Sequence, residues 1–283
     1  MSEVFSIAEG DYGKIVVLEV HHDLVPHAHS EVQFGFWLGG GECHGIVNDE
    51  KVLYNKTQAV AINKYQSHDL AVSKDAKPVM LLMLYINEEW FDKKFSEKGG
   101  PFIFCNAQLI CTQEIRSKCW VIMQTTFLVS DEKKLSIEEE LLHLLTLCIE
   151  GNSSVTKKSN GSLRRKLIDY RLRQAIDLMQ ENLLKDKLMQ WVAKKVGVSR
   201  SRLYELFKNE LNSSPKMIQN CMLLEAATRY MAHTEIDMVS LSKILGFSSA
   251  ANFSRFFRSH KGITPTSYRK KIATSTLGSM SQV

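Results

Sequence analysis

The sequence lacks the marks of a membrane or secreted protein. Its 283 residues contain no uninterrupted run of about 18 apolar residues, so no membrane span is predicted. The first residues, Met-Ser-Glu-Val, do not form a basic start followed by an apolar block, and we therefore expect no secretory signal. We expect the chain to act in the cytoplasm.

The six cysteines also lack the spacing of a metal or redox motif. No CxxC pair occurs, and the thiols are scattered, so reduced and mostly buried cysteines are expected. The alternative is that Cys105 and Cys111 form a redox pair.

The sequence predicts no enzyme, no catalytic residue, no cofactor and no resident metal.

Charge is unevenly placed along the chain. Residues 1–160 hold 15 basic and 22 acidic side chains, a net charge of −7, whereas residues 161–283 hold 21 and 9, a net charge of +12. An acidic half joined to a basic half is typical of a ligand or partner module fused to a polyanion binder.

The sequence of residues 1–150, which lie within the acidic half, predicts a β domain followed by helices. Residues 14–86 contain many short β-branched runs separated by turns, which favours a sandwich or small barrel. Amphipathic helices are expected over 114–128 and 136–149, the second beginning with a capping box at Ser136. These helices provide either a dimerisation face or packing within the domain.

Residues 151–164 are polar and nearly free of core-forming side chains, which predicts a flexible linker. A helical domain follows over 165–271, and residues 272–283 form a polar tail. The fold class is therefore multidomain α+β, with an N-terminal barrel and an all-α C-terminal domain.

Within the helical domain, one pattern occurs twice. Gly197 corresponds to Gly246 at a spacing of 49 residues, but Phe207 and Phe257 are 50 apart, so one residue is inserted in the second turn. Each copy reads as an apolar helix, a glycine-containing turn and a basic second helix. This is the pattern of a helix-turn-helix, predicted over 188–210 and 238–260. In the first copy, Ser199 is expected to cap the second helix, and in the second copy Ser248 or Ser249 is expected to do so.

The second copy carries a family resemblance. Gly-Phe at 246–247, Phe-Ser-Arg-x-Phe at 253–257 and Gly-x-Thr-Pro-x-x-Tyr-Arg at 262–269 occur together and in order. Residues 165–271 thus resemble the DNA-binding domain of AraC/XylS-type transcription regulators. The resemblance implies about seven helices, with a linking helix from Pro215 to about Met231 that holds two recognition helices in successive major grooves.

The family's base-reading positions carry over residue by residue to seven positions: Ser201, Tyr204 and Glu205 in the first recognition helix, and Ala250, Ala251, Ser254 and Arg255 in the second. Arg255 is suited to guanine and Glu205 to cytosine N4, while the alanines suit thymine methyl groups. Contacts to phosphate are assigned to four basic side chains, Arg200, Arg202, Lys208 and Arg258. The alternative is a solvated polar surface, with Glu205 in an ion pair.

The N-terminal half resembles, with less specific motifs, the cupin-like sensor domains of such regulators. His27-Ala-His29 and a later His68 match part of the histidine pattern of metal-binding cupins. The glutamate of that pattern is missing, because Gln33 stands where it is expected. The resemblance implies a barrel that holds a small organic effector, and the candidate lining is His27, His29, Gln33, Trp37, His44 and His68.

The sequence as a whole predicts a DNA-binding transcription regulator, an activator by expectation, that responds to a small molecule. Its expected partners are promoter DNA, RNA polymerase and a second copy of the chain. Two alternatives stay open: a cupin metalloenzyme with a regulatory DNA-binding domain, and an effector-independent DNA binder whose barrel only mediates dimerisation.

Overall fold

The computed structural model describes residues 2–72, 77–95, 103–104, 106–127, 132–152, 156–157 and 169–277. Its N-terminal part is built from antiparallel strands. Six of them form one sheet in the order β1-β2-β9-β4-β7-β11. Their bounds are β1 Glu3–Gly10, β2 Gly13–Val20, β4 Val32–Gly40, β7 Gln58–Ile62, β9 Val79–Ile86 and β11 Gln108–Ile110.

A second sheet of four strands, in the order β3-β8-β5-β6, completes the β domain. The strands are β3 Leu24–His27, β5 Cys43–Val47, β6 Glu50–Tyr54 and β8 His68–Val72. Val47 pairs with Glu50, so the hairpin between β5 and β6 turns on Asn48 and Asp49 alone. Both have positive φ, 51° and 68°, as a tight two-residue hairpin turn requires.

The two faces of the large sheet are buried by different partners. Side chains such as Ile15, Phe34 and Leu84 share a cluster with the helices α1 Glu88–Phe95, α2 Gln113–Thr126 and α3 Glu132–Glu150. Alternate side chains, among them Leu18 and Leu81, share another cluster with β5, β6 and β8. Because side chains alternate along a strand, each strand contributes to both cores.

The C-terminal part is helical, as the sequence predicts. Seven helices follow in order: α4 Tyr170–Glu181, α5 Leu188–Lys195, α6 Arg200–Leu211, α7 Pro215–His233, α8 Met238–Ile244, α9 Ala250–Lys261 and α10 Pro265–Leu277. The long helix α7 lies in sequence between the two helix-turn-helix units. None of the helices in the described ranges has the length and hydropathy needed to cross a bilayer.

Three expected boundaries differ from the structure. Helix α3 begins at Glu132, so Ser136 lies inside it and does not cap its start. Helix α10 continues to Leu277, into the segment expected as a polar tail. Of the expected linker, residues 151, 152, 156 and 157 are described; Thr156–Lys157 is a short strand, β12, paired with β10, Ile103–Phe104. Cys105 lies outside the described residues.

The two parts of the chain pack against each other. Barrel residues such as Val4 and Val20 belong to the same buried apolar cluster as Phe253 and Phe257 of α9. Polar contacts accompany this packing: the Lys14 ammonium donates to the Tyr268 hydroxyl at 3.1 Å, and the Ser213 hydroxyl donates to the Tyr65 carbonyl at 2.7 Å. The helical domain is therefore held against the open end of the β domain.

Candidate DNA-binding helices and sensor cavity

The first helix-turn-helix is formed by α5 and α6. The turn between them contains Gly197 at φ 71°, a conformation that glycine adopts without strain. The Ser199 side chain then accepts a hydrogen bond from the Arg202 backbone N–H at 3.1 Å and caps α6. Leu203, Leu206 and Phe207 are buried, so the opposite face of α6 is turned outward.

The second unit, α8 and α9, repeats this plan with a longer turn. Gly246 has φ 76°, and Ser249, not Ser248, caps α9 by accepting from the Asn252 N–H at 3.1 Å. The cap therefore follows the turn glycine by three residues here and by two in the first unit. The insertion predicted from the two spacings thus lies between glycine and cap.

The outward face of each second helix carries the residues expected to contact DNA. In α6, Arg200, Ser201, Glu205 and Lys208 are exposed and Tyr204 is half-buried. In α9, Ala251, Arg255 and Arg258 are exposed, whereas Ala250 and Ser254 are half-buried. This placement leaves all of these side chains outside the cores of their lobes.

Charged residues of α6, among them Arg202, Glu205 and Lys208, are engaged within the protein. Arg202 donates to the Glu205 carboxylate at 3.0 Å, an ion pair one helical turn apart on the exposed surface. Lys208 lies 3.4 Å from the Asp49 carboxylate at the tip of the β5–β6 hairpin. The Asn212 side-chain amide reaches the same tip, donating to Asn48 at 3.2 Å. The end of α6 thus rests on the barrel through exposed polar contacts.

The end of α9 is attached differently, because it enters the mouth of the barrel. His260 is buried, and Lys261 places its ammonium 5.2 Å from the centre of the Tyr85 ring. Burial, followed by the nearby Lys14 charge, lowers the pKa of Lys261. Gly262 ends the helix at φ 74°, close to Ser2 and Leu24 of the β domain.

A small cavity of about 30 Å³ lies beneath the end of α9. Its lining includes His27, Gln33, His68 and Tyr85 from the barrel and His260 and Lys261 from α9. His29 adjoins it, with its ring centre 4.9 Å from that of His27 and 5.1 Å from that of His68. The structure therefore brings together four of the six residues expected to line an effector pocket.

The three histidines have pKa values below the usual range. Burial is the main cause for each, and the pKa of His68 falls to about 4. Neighbouring positive charge adds to the effect, from His68 on His27 and from Lys261 on His29. At neutral pH the cluster is therefore uncharged.

Trp37 and His44 do not line the cavity. The indole N–H of Trp37 donates to the Gly41 carbonyl at 2.8 Å, while His44 is half-buried in β5, opposite Leu53 and Ala71. His27 ends β3 and Gln33 lies at the start of β4, so no single strand carries both. His260 and Lys261 were missed as cavity residues, because only long-range packing brings α9 to the barrel.

Comparison with known proteins identifies the helical domain. The sequence profile of the helix-turn-helix domain family matches residues 192–271. The lactose operon transcription activator of Staphylococcus xylosus is 30% identical over 108 residues, which is 38% of this chain and 39% of that protein. The raffinose operon regulatory protein RafR of Pediococcus pentosaceus is 30% identical over 98 residues, 35% of each protein. The chain thus spans about two fifths of the length of these curated relatives.

The fold of the whole chain is similar to that of ToxT from Vibrio cholerae. Apo ToxT superimposes with a TM-score of 0.60 over 93% of this chain and 98% of that one, at 12% identity. ToxT bound to an unsaturated fatty acid gives 0.57 over 94% and 95%, at 11% identity. Residues 192–271 form a DNA-binding helix-turn-helix domain. It is of the AraC type, and it is joined to an N-terminal β domain in the two-domain arrangement of ToxT.

Proposed function

We propose that the protein is a cytoplasmic transcription regulator that binds promoter DNA through α6 and α9 and receives a chemical signal in its barrel. The observation that carries this proposal is the pair of capped second helices, each with an outward face of polar and basic side chains. The net charge of +12 over residues 161–283 supplies the attraction to phosphate.

Base contacts are assigned to the outward faces of the two helices. Ser201, Tyr204 and Glu205 serve in α6, and Ala250, Ala251, Ser254 and Arg255 serve in α9. Arg255 is exposed and reads guanine through paired hydrogen bonds. Glu205 must leave its ion pair with Arg202 to reach a cytosine amine. Because the two faces differ, each monomer is expected to read an asymmetric site.

Phosphate contacts are assigned to Arg200, Arg202, Lys208 and Arg258. Such contacts set affinity and register, and they do not discriminate between sequences. Two of the four already face a carboxylate: Arg202 pairs with Glu205 on the same helix, and Lys208 faces Asp49 of the barrel. Binding of DNA by α6 therefore competes with its contact to the barrel.

The signal acts on the attachment of α9. The cavity beneath α9 has room for an ion or a water molecule, so an organic effector requires the end of α9 to withdraw. A ligand that binds one arrangement of the two domains better than the other shifts their populations. ToxT, whose fold is similar, binds an unsaturated fatty acid. The matches to the lactose and raffinose regulators cover about two fifths of each and do not identify an effector for this chain.

We further propose that the protein acts as a homodimer and, as an activator, contacts RNA polymerase. Dimerisation is supported by exposed apolar side chains on and beside α2, among them Trp120 at 44% and Phe127 at 50%. The rival enzymatic function draws support from the three clustered histidines. The small volume of the cavity, about 30 Å³, weighs against it.

The proposal is tested by DNA selection followed by a pair of arginine variants. Genomic fragments bound by the purified full-length protein define the site, and each base pair is then changed in turn. Arg255→Ala should lose about 1–3 kcal/mol of discrimination at one base pair. Arg258→Ala, the same change on the same helix, should weaken binding to every sequence alike and reduce the salt slope by about one.

Two results would contradict these assignments. Unchanged discrimination at every position in Arg255→Ala removes this residue from base reading. Failure of the wild-type protein to select any fragment over random DNA overturns the function itself.

A further inference from the structure

The most unusual chemical feature outside the DNA-binding helices is the buried group of His27, His29 and His68. His27 and His68 lie opposite each other on the paired strands β3 and β8, and His29 follows two residues after His27. One ring nitrogen from each histidine lies within 4.8 Å of the corresponding atoms of the other two. This spacing allows three nitrogen atoms to contact one central ion.

Hydrogen bonds to backbone carbonyls fix the tautomer of two of the three histidines. The Nδ1 atoms of His27 and His68 lie 2.7 Å and 2.9 Å from the carbonyl oxygens of Val25 and Gln66. A carbonyl only accepts, so each Nδ1 carries the proton and each Nε2 keeps its lone pair. Backbone carbonyls orient metal-binding histidines in this same way.

The inward polar atoms are buried and have no partner within the described structure. They are Nε2 of His29, Nε2 of His68 and Oε1 of the neighbouring Gln33. Buried polar atoms almost always have a partner, so these acceptors indicate a ligand that binds lone pairs. A neutral Nε2 that keeps its lone pair cannot donate to a carboxylate, so Lys261 is the one charged donor in the cavity lining, whereas a metal cation accepts these lone pairs directly.

We propose that His27, His29 and His68 bind one divalent transition-metal ion of the class that imidazole favours, with Zn²⁺ or Co²⁺ as suitable probes. The cavity volume of about 30 Å³ is sufficient for an ion with a water molecule. The sequence led us to expect no metal here, because the glutamate of the cupin pattern is replaced by Gln33.

One charge opposes the ion and links it to the DNA-binding domain. Lys261, at the end of α9, lines the same cavity, and its ammonium repels a second cation. Glu31 and Glu225 lie near enough to offset part of this charge. A bound metal therefore weakens the docking of α9. The signal that the barrel receives is then a divalent metal ion. This consequence rests on the proposed function, whereas metal binding itself does not.

The experiment titrates Co²⁺ into full-length protein that has no histidine tag and has been stripped of metal with a chelator. Visible absorption should reveal one bound ion per chain, displaced by Zn²⁺. His29→Gln and His68→Gln should each weaken binding by at least about tenfold. His44→Gln, a half-buried histidine outside the cluster, is the matched control and should bind as the wild type does.

Lys261→Met gives an independent test that keeps all three ligands. It should tighten Co²⁺ binding, because it removes the opposing charge. Absence of a bound ion in the wild type, or equal binding by His44→Gln and His68→Gln when both are folded, overturns the site.

Promoter DNA binding, measured with and without Zn²⁺, separates this inference from the proposed function. A change in DNA affinity that His68→Gln abolishes supports metal as the signal. Bound metal with unchanged DNA affinity overturns that role and leaves the site. Metal binding by a protein that selects no DNA contradicts the proposed function alone.

Discussion

The two helix-turn-helix units have the same local structure but different attachments to the barrel. Each has a glycine with positive φ, a serine cap and a 12-residue second helix. The first unit touches the barrel at the end of α6 through the exposed Lys208, the half-buried Asn212 and the buried Ser213, and its apolar cluster takes in the barrel residue Ala28. The second inserts His260 and Lys261 into the barrel mouth and shares its apolar core.

The sequence repeat therefore specifies the helix-turn-helix motif, but it does not specify what each copy packs against. Exposed polar contacts contribute little, because water competes for both partners, whereas buried apolar contacts account for most of a packed interface. The first unit is therefore expected to leave the barrel more easily than the second. Any signal in the barrel reaches α9 first.

The largest effect on stability is expected when a buried phenylalanine is replaced in each unit, which tests this comparison. Phe257→Ala and Phe207→Ala each remove a fully buried ring, so each should lower the free energy of unfolding by about 3–5 kcal/mol. Their local consequences should differ. Phe257 packs edge-on against Tyr268 in the cluster that contains barrel residues, so its loss should also loosen β3 and the barrel mouth. Amide hydrogen exchange along β3 measures this.

Phe207→Ala provides the control for that measurement. Phe207 belongs to the cluster of α4 to α7, where Ala28 is the barrel residue of the cluster. Exchange in β3 should stay close to that of the wild type. Equal loosening of β3 in both variants would show that the two units are attached alike.

Much of this arrangement was predictable, and the reason lies in the range of the interactions. The positions of Gly197, Gly246 and Ser199 follow from rules that act over a few residues, and the family resemblance implied the seven helices. Ser249 remained one of two candidates for the cap, since either serine has the required side chain. The cavity was predictable only in part: His27, His29 and His68 share a pattern, but nothing near Lys261 indicates that it meets them. The family resemblance placed Trp37 and His44 in the cavity, but the indole of Trp37 donates to the Gly41 carbonyl and His44 pairs with Leu53 and Ala71 in the second sheet.

A fall in pH should weaken the attachment of the second unit, which lies over the histidines. In metal-free protein the pKa of His68 is about 4 when folded, against 6.5 for an exposed histidine. The unfolded chain therefore binds more protons between these values, and stability is complete above pH 6.5 and falls as pH drops toward 4. The loss attributable to His68 is about 3 kcal/mol. Denaturant unfolding in the presence of a chelator, repeated across this range, measures it.

His68→Gln should make that pH profile less steep, because it removes the contribution of His68 and leaves those of His27 and His29, whose pKa values burial also lowers. His44→Gln should leave the profile as in the wild type, since it lies outside the cluster. If both variants flatten the profile equally, the buried cluster is not the source of the acid sensitivity.

The smallest expected effect concerns the first unit and the tip of the β5–β6 hairpin. Asp49 and Lys208 are 81% and 60% exposed, so their ion pair contributes about 0–1 kcal/mol, and Asp49→Ala should hardly alter stability. Its effect on DNA should nevertheless be detectable, because it frees Lys208 for phosphate and raises affinity by up to about fivefold. Glu50→Ala removes the same charge from the neighbouring position, which pairs with Val47, and so controls for the change in overall electrostatics. Titration of promoter DNA at low salt compares the two variants. An equal gain in both would mean that the acidic barrel repels DNA as a whole; a gain confined to Asp49→Ala would identify this contact as the one that α6 gives up to bind DNA.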